Sequence, residues 1–279
     1  MKIIHTKALL AEEITNIKNR SQRIGFVPTM GALHEGHLAL MRKAKSENDV
    51  LVCSIFVNPI QFNNAEDLEH YPRLPQQDIS LIDSLCDVLF MPSANEMYPE
   101  PPAESFHFGL LEEVMEGRFR PNHFNGVAIV VNRLFAMVCP DMAYFGKKDF
   151  QQLAIIRKMT EDARLPIEIK AVDIVRETDG LAMSSRNKRL SEKAREIAPF
   201  IFQTLTQAKT LTSTKTPQEV ESWINEQFDN QKEFQLEYVQ MVNGETLENM
   251  SDYQAKSIVI CLAVWLDNVR LIDNITIKE

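Results

Sequence analysis

The sequence predicts an α/β protein, a doubly wound parallel sheet joined to a second, smaller α+β domain. Three observations carry that expectation. Short apolar runs, RIGFVPT (23–29), VLVCSIFV (50–57), DVLFMPS (87–93) and MAYFG (142–146), alternate with longer stretches of helical period. Those runs lack the polar alternation of a half-exposed sheet, as strands covered on both faces should. The chain has 279 residues, past the roughly 250 at which a single core stops growing.

The elements follow in order. HLALMRKAKSE (37–47) sets Leu38, Met41 and Ala44 on one helical face, and PQQDISLIDSLC (75–86) does the same with Ile79, Ile82 and Leu85. FNGVAIVVNRLFAMVC (124–139) is apolar nearly all round and reads as a buried helix. Four strands thus alternate with three helices, which places ligands at the carboxyl ends of the strands. After IEIKAVDIVRETDG (167–180) the texture changes. A long helix is expected from near Ser191 and another from near Pro217, then strands at LEYVQMV (236–242) and SIVICLAVWL (257–266). The polar TLTSTKTPQ (210–218) reads as a loop between helices, and the domain boundary falls near Val175.

Composition narrows the function. A net charge of −9 and a pI near 5.3 argue against a surface that neutralises nucleic-acid phosphates or anionic lipid. An anionic ligand would have to be met by local charge. Cys53, Cys86, Cys139 and Cys261 are dispersed with no C-x-x-C spacing, so neither a zinc site nor a disulfide framework is indicated. The N-terminus MKIIHTKALLAEEI lacks the features of a signal peptide, and no apolar run approaches about 20 residues. A cytoplasmic protein with neither a nucleic-acid nor a membrane partner is expected.

Four segments bring chemistry to the sheet's carboxyl edge. In GFVPTMGALHEGH (25–37) a strand ends, Met30 to Glu35 turn, and a helix begins about Gly36, so His34 and His37 flank a helix N-terminus. Gly31 and Gly36 let backbone N–H groups approach a phosphate; the alternative is a cap and a packed ring. H-E-G-H is one residue short of the H-E-x-x-H zinc spacing. In SIFVNPIQF (54–62) Pro59 turns the chain out of the sheet and leaves the amides of Asn58 and Gln61 at its edge. Both suit a hydroxylated carboxylate, or they satisfy loop backbone. YFGKKDFQQL (144–153) brings Gly146, Lys147, Lys148, Asp149 and, one turn on, Gln152; Asp149 suits either a ribose hydroxyl or a helix cap. GLAMSSRNKRL (180–190) sets Ser184, Ser185 and Arg186 side by side as an anion clamp, with a serine cap as the plainer use.

VPTMGALHEGH, SIFVNPIQF, YPR, RPNHFNGV, FGKKDFQQL, MSSRN and RLIDN, in this order and spacing, resemble the pantothenate synthetase (pantoate–β-alanine ligase) family over nearly the whole chain. H-x-G-H alone also resembles the wider nucleotidyltransferase superfamily. The resemblance implies a Rossmann-like domain over residues 1–175 that binds nucleotide and pantoate, a smaller C-terminal lid domain over 176–279, and usually a homodimer. It implies ATP with magnesium, a pantoyl-adenylate intermediate, and β-alanine as the acceptor that releases AMP.

Carried over by residue, Met30, Gly31, Ala32, Leu33, His34, Glu35, Gly36 and His37 would line the ATP site. Gly146, Lys147, Lys148, Asp149 and Val175 would hold nucleotide, and Met183, Ser184, Ser185 and Arg186 would close over the phosphates. Gln61 and Gln152 would bind pantoate, Gln61 also β-alanine, with Asn58 beside them. A protonated His37 would be the catalytic acid, supported by His34, Lys148 and Arg186. Magnesium is expected through the ATP phosphates, with no protein cage. This chain has Gly-Lys-Lys-Asp where the family usually has Gly-Glu-Lys-Asp, so a carboxylate role at position 147 does not carry over. His34 and water are the candidates for general base, and Arg120 and His123 suit either structural or substrate contact. The rival readings are another H-x-G-H adenylyl or cytidylyl transferase and a nucleotide-binding module without turnover.

Overall fold

A strand buried on both faces needs apolar residues at every position, and Ile24, Phe26 and Val27 are all fully buried. They belong to a parallel sheet built from β1 (Lys2–Ile4), β2 (Ile24–Thr29), β3 (Val50–Ile55), β4 (Val88–Phe90), β5 (Met142–Gly146) and β6 (Glu168–Val172). The computed structural model describes residues 1–63 and 65–279. Among them the spatial order is β1-β4-β3-β2-β5-β6. From β2 the chain builds outward through β3 and β4, then returns to add β5 and β6 on the other side, so the order reverses between β2 and β5.

The helix Glu35–Glu47 covers one face, burying Leu38, Met41 and Ala44 as the sequence expects. They pack with Val27, Leu51, Cys53, Leu89 and Tyr144. The helix His123–Val138 is buried along most of its length. Its Phe135 meets Phe26 and Phe145 edge-on, at centroid distances of 6.3 and 6.4 Å.

The chain forms two compact units, neither continuous in sequence. The first comprises Met1–Phe108, Arg120–Lys147 and Ile155–Asp173; the second comprises Gly109–Phe119, Lys148–Ala154 and Ile174–Glu279. Within the second, β7 (Phe234–Asn243), β8 (Ile258–Leu266) and β9 (Val269–Lys278) form an antiparallel sheet in that order. Ile258, Ile260, Leu262 and Val264 pack with Ile201, Leu205, Val220 and Ile224 from two helices. Val259 and Cys261, on the opposite face, pack with Met115 and Ala154. That two-sided cover explains why SIVICLAVWL is apolar throughout.

Two expectations need correction. The long helix near Ser191 is two helices, Glu192–Ile197 and Phe200–Leu211. Pro199 stands between them, and a proline there has no N–H for the helical ladder. The strands β1, β6 and β9 were also unforeseen: β1 is three residues long, β6 is nowhere fully buried, and β9 is rich in polar residues. Among the described residues no helix is long and apolar enough to cross a membrane.

Candidate active site

Doubly wound sheets take ligands where strand order reverses, at the carboxyl ends. Here those ends are Thr29 of β2 and Gly146 of β5. After Thr29 the backbone enters the left-handed region twice, at Gly31 (φ +80°) and Ala32 (φ +50°). The turn aims successive amides at one carboxylate: Ala32 N–H donates to Asp78 Oδ2 at 2.9 Å and Leu33 N–H to Oδ1 at 2.8 Å. A Cβ on residue 31 would stand 3.0 Å from Asp78 Oδ2 and 3.1 Å from Ile55 Cγ2, a tight fit that adds to the left-handed φ in favouring glycine.

Asp78, 3% exposed, is the residue that sequence reasoning missed. It lies in the first turn of the helix Pro75–Ile82, four positions before Ile82 and on the same buried face. An acidic residue on the apolar face of an amphipathic helix was the available signal.

His34 and His37 complete the turn. His34 is the N-cap of the helix, and its Nδ1 accepts from Gly36 N–H at 3.2 Å. The His37 Nδ1 accepts from His34 N–H at 3.3 Å, which makes a reciprocal capping box out of two imidazoles. The rings lie 4.1 Å apart, centroid to centroid. A ring nitrogen that accepts from an amide carries no hydrogen, so each neutral ring holds its hydrogen on Nε2. The cap therefore sets His37 up as a neutral Nε2–H donor, and the protonated His37 expected from sequence would forfeit the cap.

At the end of β3 the chain enters the short turn Pro59–Gln61. Asn58, 1% exposed, donates from Nδ2 to Gly126 O at 3.0 Å and to Gln61 Oε1 at 3.1 Å. Its Oδ1 accepts from the Tyr98 hydroxyl at 2.8 Å. The Gln61 Nε2 lies 3.0 Å from Met30 Sδ, so the two leading loops of the first unit meet side chain to side chain. His123 donates from Nδ1 to Gln61 O at 2.8 Å, which gives it a backbone-anchoring contact. A Cβ on residue 126 would lie 2.6 Å from Ile60 O; glycine lets the helix approach the turn.

Gly146 closes β5, and Lys147 Nζ sits 2.9 Å from Asp173 Oδ1 just beyond β6. The lysine at this position thus has a carboxylate of its own unit to pair with.

The remaining residues lie in the second unit. Lys148 Nζ is 3.9 Å from Asp149 Oδ1, and the Lys148 carbonyl accepts from Asn274 Nδ2 at 3.1 Å. Of the adjacent glutamines, Gln151 is buried and fully engaged: Nε2 donates to Leu111 O and Val114 O, and Oε1 accepts from Glu116 N–H. Gln152 is half-buried. Val175 O accepts from Met183 N–H at 2.9 Å, which closes a hairpin whose turn is Gly180, φ +96°. Ser184 caps the short helix Ser185–Arg189 by accepting from Arg186 N–H at 3.2 Å, leaving its hydroxyl hydrogen to donate. Asn187 Nδ2 ties that helix to Glu177 Oε1 and Ala182 O. Arg176 holds the hairpin's base through a two-pronged contact with Asp273, at 2.7 and 3.0 Å. Burial pushes the Asp273 carboxyl up against the pull of Arg176.

The first unit thus presents two imidazoles and an oriented amide, and the second carries Lys148, Arg186 and two serine hydroxyls. These are donors for phosphate and carboxylate oxygens. Among the described residues no group of three or more His, Cys, Asp or Glu is placed to hold a metal ion.

The comparisons with known proteins agree along the full chain. The family model described as pantoate-beta-alanine ligase matches residues 2–276. A pantothenate synthetase of Porphyromonas gingivalis is 47% identical over 281 residues, covering 100% of both chains; one of Bacteroides thetaiotaomicron is also 47% identical with full coverage. The crystal structure of pantothenate synthetase from Thermus thermophilus superposes with a TM-score of 0.93 at 40% identity, covering 100% of both chains. A Francisella tularensis pantoate-beta-alanine ligase, whose structure was determined with beta-gamma ATP and beta-alanine, gives a TM-score of 0.83 at 37% identity over 99% of this chain and 98% of its own. Fold, motif order and full-length identity converge, and the chain belongs to the pantoate-beta-alanine ligase family.

Proposed function

We propose that the chain joins pantoate to β-alanine, the reaction its family is named for, in two steps at the expense of ATP. A pantoate carboxylate oxygen attacks the α-phosphorus, the bond to pyrophosphate breaks, and pantoyl adenylate forms. The β-alanine nitrogen then attacks the acyl carbon, AMP leaves, and the ammonium proton passes to water, or to His34 Nδ1 at the cost of its cap bond to Gly36 N–H. The observation that carries this reading is the imidazole capping box, which fixes Nε2–H donors at a helix N-terminus beside the switch point.

The first step brings an anion to a phosphorus already ringed by anionic oxygens, so it needs fixed donors and an aligned nucleophile. His37 donates to the α-phosphate, and His34 supports it. The segment from Met30 to His37, Gly146 to Asp149 and Val175 take the nucleotide. Lys148 and Arg186 supply positive charge, with Met183, Ser184 and Ser185 beside Arg186. Gln61 and Gln152 bind pantoate, Gln61 also β-alanine, and Asn58 supports Gln61. The Francisella complex supports ATP and β-alanine as ligands. Magnesium would accompany the nucleotide, held mainly by the substrate phosphates with few protein ligands. When bound, it screens phosphate charge.

The chain works in the cytoplasm as a homodimer. Its cysteines are all unpaired, consistent with a reducing compartment, and light scattering would test the dimer. The chemistry is tested by ATP–pyrophosphate exchange with magnesium, with and without pantoate, followed by addition of β-alanine. Pantoate-dependent exchange, then AMP and pantothenate released together, is the expected result. Exchange that ignores pantoate would overturn the reading in favour of another acceptor.

A further inference from the structure

We propose that Tyr98 is a positioning residue that, together with the Gly126 carbonyl, holds the Asn58 amide and through it the donor end of the Gln61 amide toward the substrate. This rests on the reading of Gln61 as a pantoate ligand. The argument starts from a group whose role cannot change, the Gly126 carbonyl, which can only accept. The end of the Asn58 amide 3.0 Å from it must be the NH2 group. Asn58 Oδ1 then faces the Tyr98 hydroxyl at 2.8 Å, so the hydroxyl donates. The second Asn58 hydrogen goes to Gln61 Oε1 at 3.1 Å. Gln61 is thereby left with its own NH2 directed to Met30 Sδ at 3.0 Å. Sulfur is a weak acceptor, readily displaced by a hydroxyl or carboxylate oxygen. The relay makes Gln61 a donor to an oxygen-bearing ligand.

Tyr98 is itself held for this purpose. The Arg133 guanidinium lies 4.9 Å from its ring centroid and donates to Met97 O at 2.8 Å. A two-pronged pair with Glu104 at 2.7 and 2.9 Å fixes Arg133 in turn. Removing the Tyr98 hydroxyl would leave Asn58 Oδ1 buried without a donor. Asn58 cannot turn that oxygen to Gln61 without setting it against the Gly126 carbonyl, so the amide keeps its sense but loses one of the bonds that hold it, and the Gln61 NH2 it positions is less firmly fixed toward the substrate.

The test is Tyr98→Phe in the full-length enzyme, with Gln61→Ala alongside. Readouts are KM and kcat for pantoate and for an analogue lacking its 2-hydroxyl, KM for ATP, and the melting temperature. For Tyr98→Phe we expect kcat/KM for pantoate to fall by about tenfold to a hundredfold, the scale of one misplaced hydrogen bond. The analogue should be affected far less and ATP binding little, with the melting temperature lowered only by what one unmet buried acceptor costs. Gln61→Ala should lose the same discrimination. If Gln61→Ala loses it and Tyr98→Phe keeps it, the relay is overturned while the Gln61 assignment stands. If Gln61→Ala binds pantoate normally, both fall. Equal losses for pantoate, analogue and ATP with a lowered melting temperature would make Tyr98 a packing residue and overturn the proposal.

Discussion

The two compact units spend their buried polar groups differently. In the first, Asp78 binds the Ala32 and Leu33 amides and so holds the turn that carries the histidines, while Asn58 binds Gln61 Oε1 and so leaves the Gln61 NH2 to Met30 Sδ. In the second, the charges close on one another. Arg176 grips Asp273, and Arg270 donates to both Glu116 and Glu237. Tyr238 adds a hydroxyl bond to Glu116 at 2.9 Å, and burial together with that carboxylate drives its own ionisation well up. One arrangement orients donors for a ligand. The other fixes backbone segments distant in sequence. The contrast implies that substitutions of these buried groups should act on kinetics before stability in the first unit, and on stability first in the second.

The largest expected effect is Arg176→Ala, which strands a buried carboxylate and should cost about 3–5 kcal/mol. Burial already raises the Asp273 carboxyl above its unfolded value. A raised carboxyl favours the folded state only when protonated, so the loss should be full at neutral pH and shrink as pH falls through the raised value. Denaturant melts of the variant at two pH values read this directly, and a loss that deepened in acid would contradict it.

His37→Ala should reverse the pattern. Losing one oriented donor typically costs about 2.7–4 kcal/mol of transition-state stabilisation, so single-turnover adenylate formation should slow on the order of a hundredfold. ATP binding should change less, and the unfolding free energy by about 1 kcal/mol, the scale of one cap. An unchanged single-turnover rate would remove His37 from the chemistry.

Asp78→Asn lies between the two. An amide can accept from only one of the Ala32 and Leu33 N–H groups, and the orphaned one should cost about 1–3 kcal/mol. Because the loop carries the histidines, pantoate-dependent exchange should fall by about tenfold as well. A variant that loses stability at full exchange rate would show that the loop holds its shape unaided.

The smallest effect is expected at Thr216. With Glu219 it forms the capping box of the helix Pro217–Asp229, and Thr216→Ala should cost about 1 kcal/mol with turnover unaltered. A changed kcat there would break the division between the units.

Much of this was legible in advance, and where legibility stopped is instructive. The core strands β2 to β5 announce themselves because a doubly covered strand is apolar throughout. Leu38, Met41 and Ala44 do so because helical spacing is local. β9 hid because Arg270, Asp273 and Asn274 look solvent-facing, whereas Glu116, the partner of Arg270, stands 154 positions earlier. RLIDN therefore reads as a motif and functions, in this structure, as an anchor for the Arg176 hairpin and the Lys148 backbone. Asp78 escaped notice for a related reason, since its role depends on a loop 45 positions away.

By itself the sequence determined the layered α/β core, the helix N-terminus that carries the two histidines, and the family, because apolar period and contiguous motifs are properties of neighbouring residues. Tertiary structure alone decided which ring nitrogen carries the hydrogen, which adjacent glutamine is spent on backbone, and which end of the Gln61 amide faces Met30. Those choices are made by single acceptors brought from distant segments, and a hydrogen bond has a direction that no local pattern of residue types records.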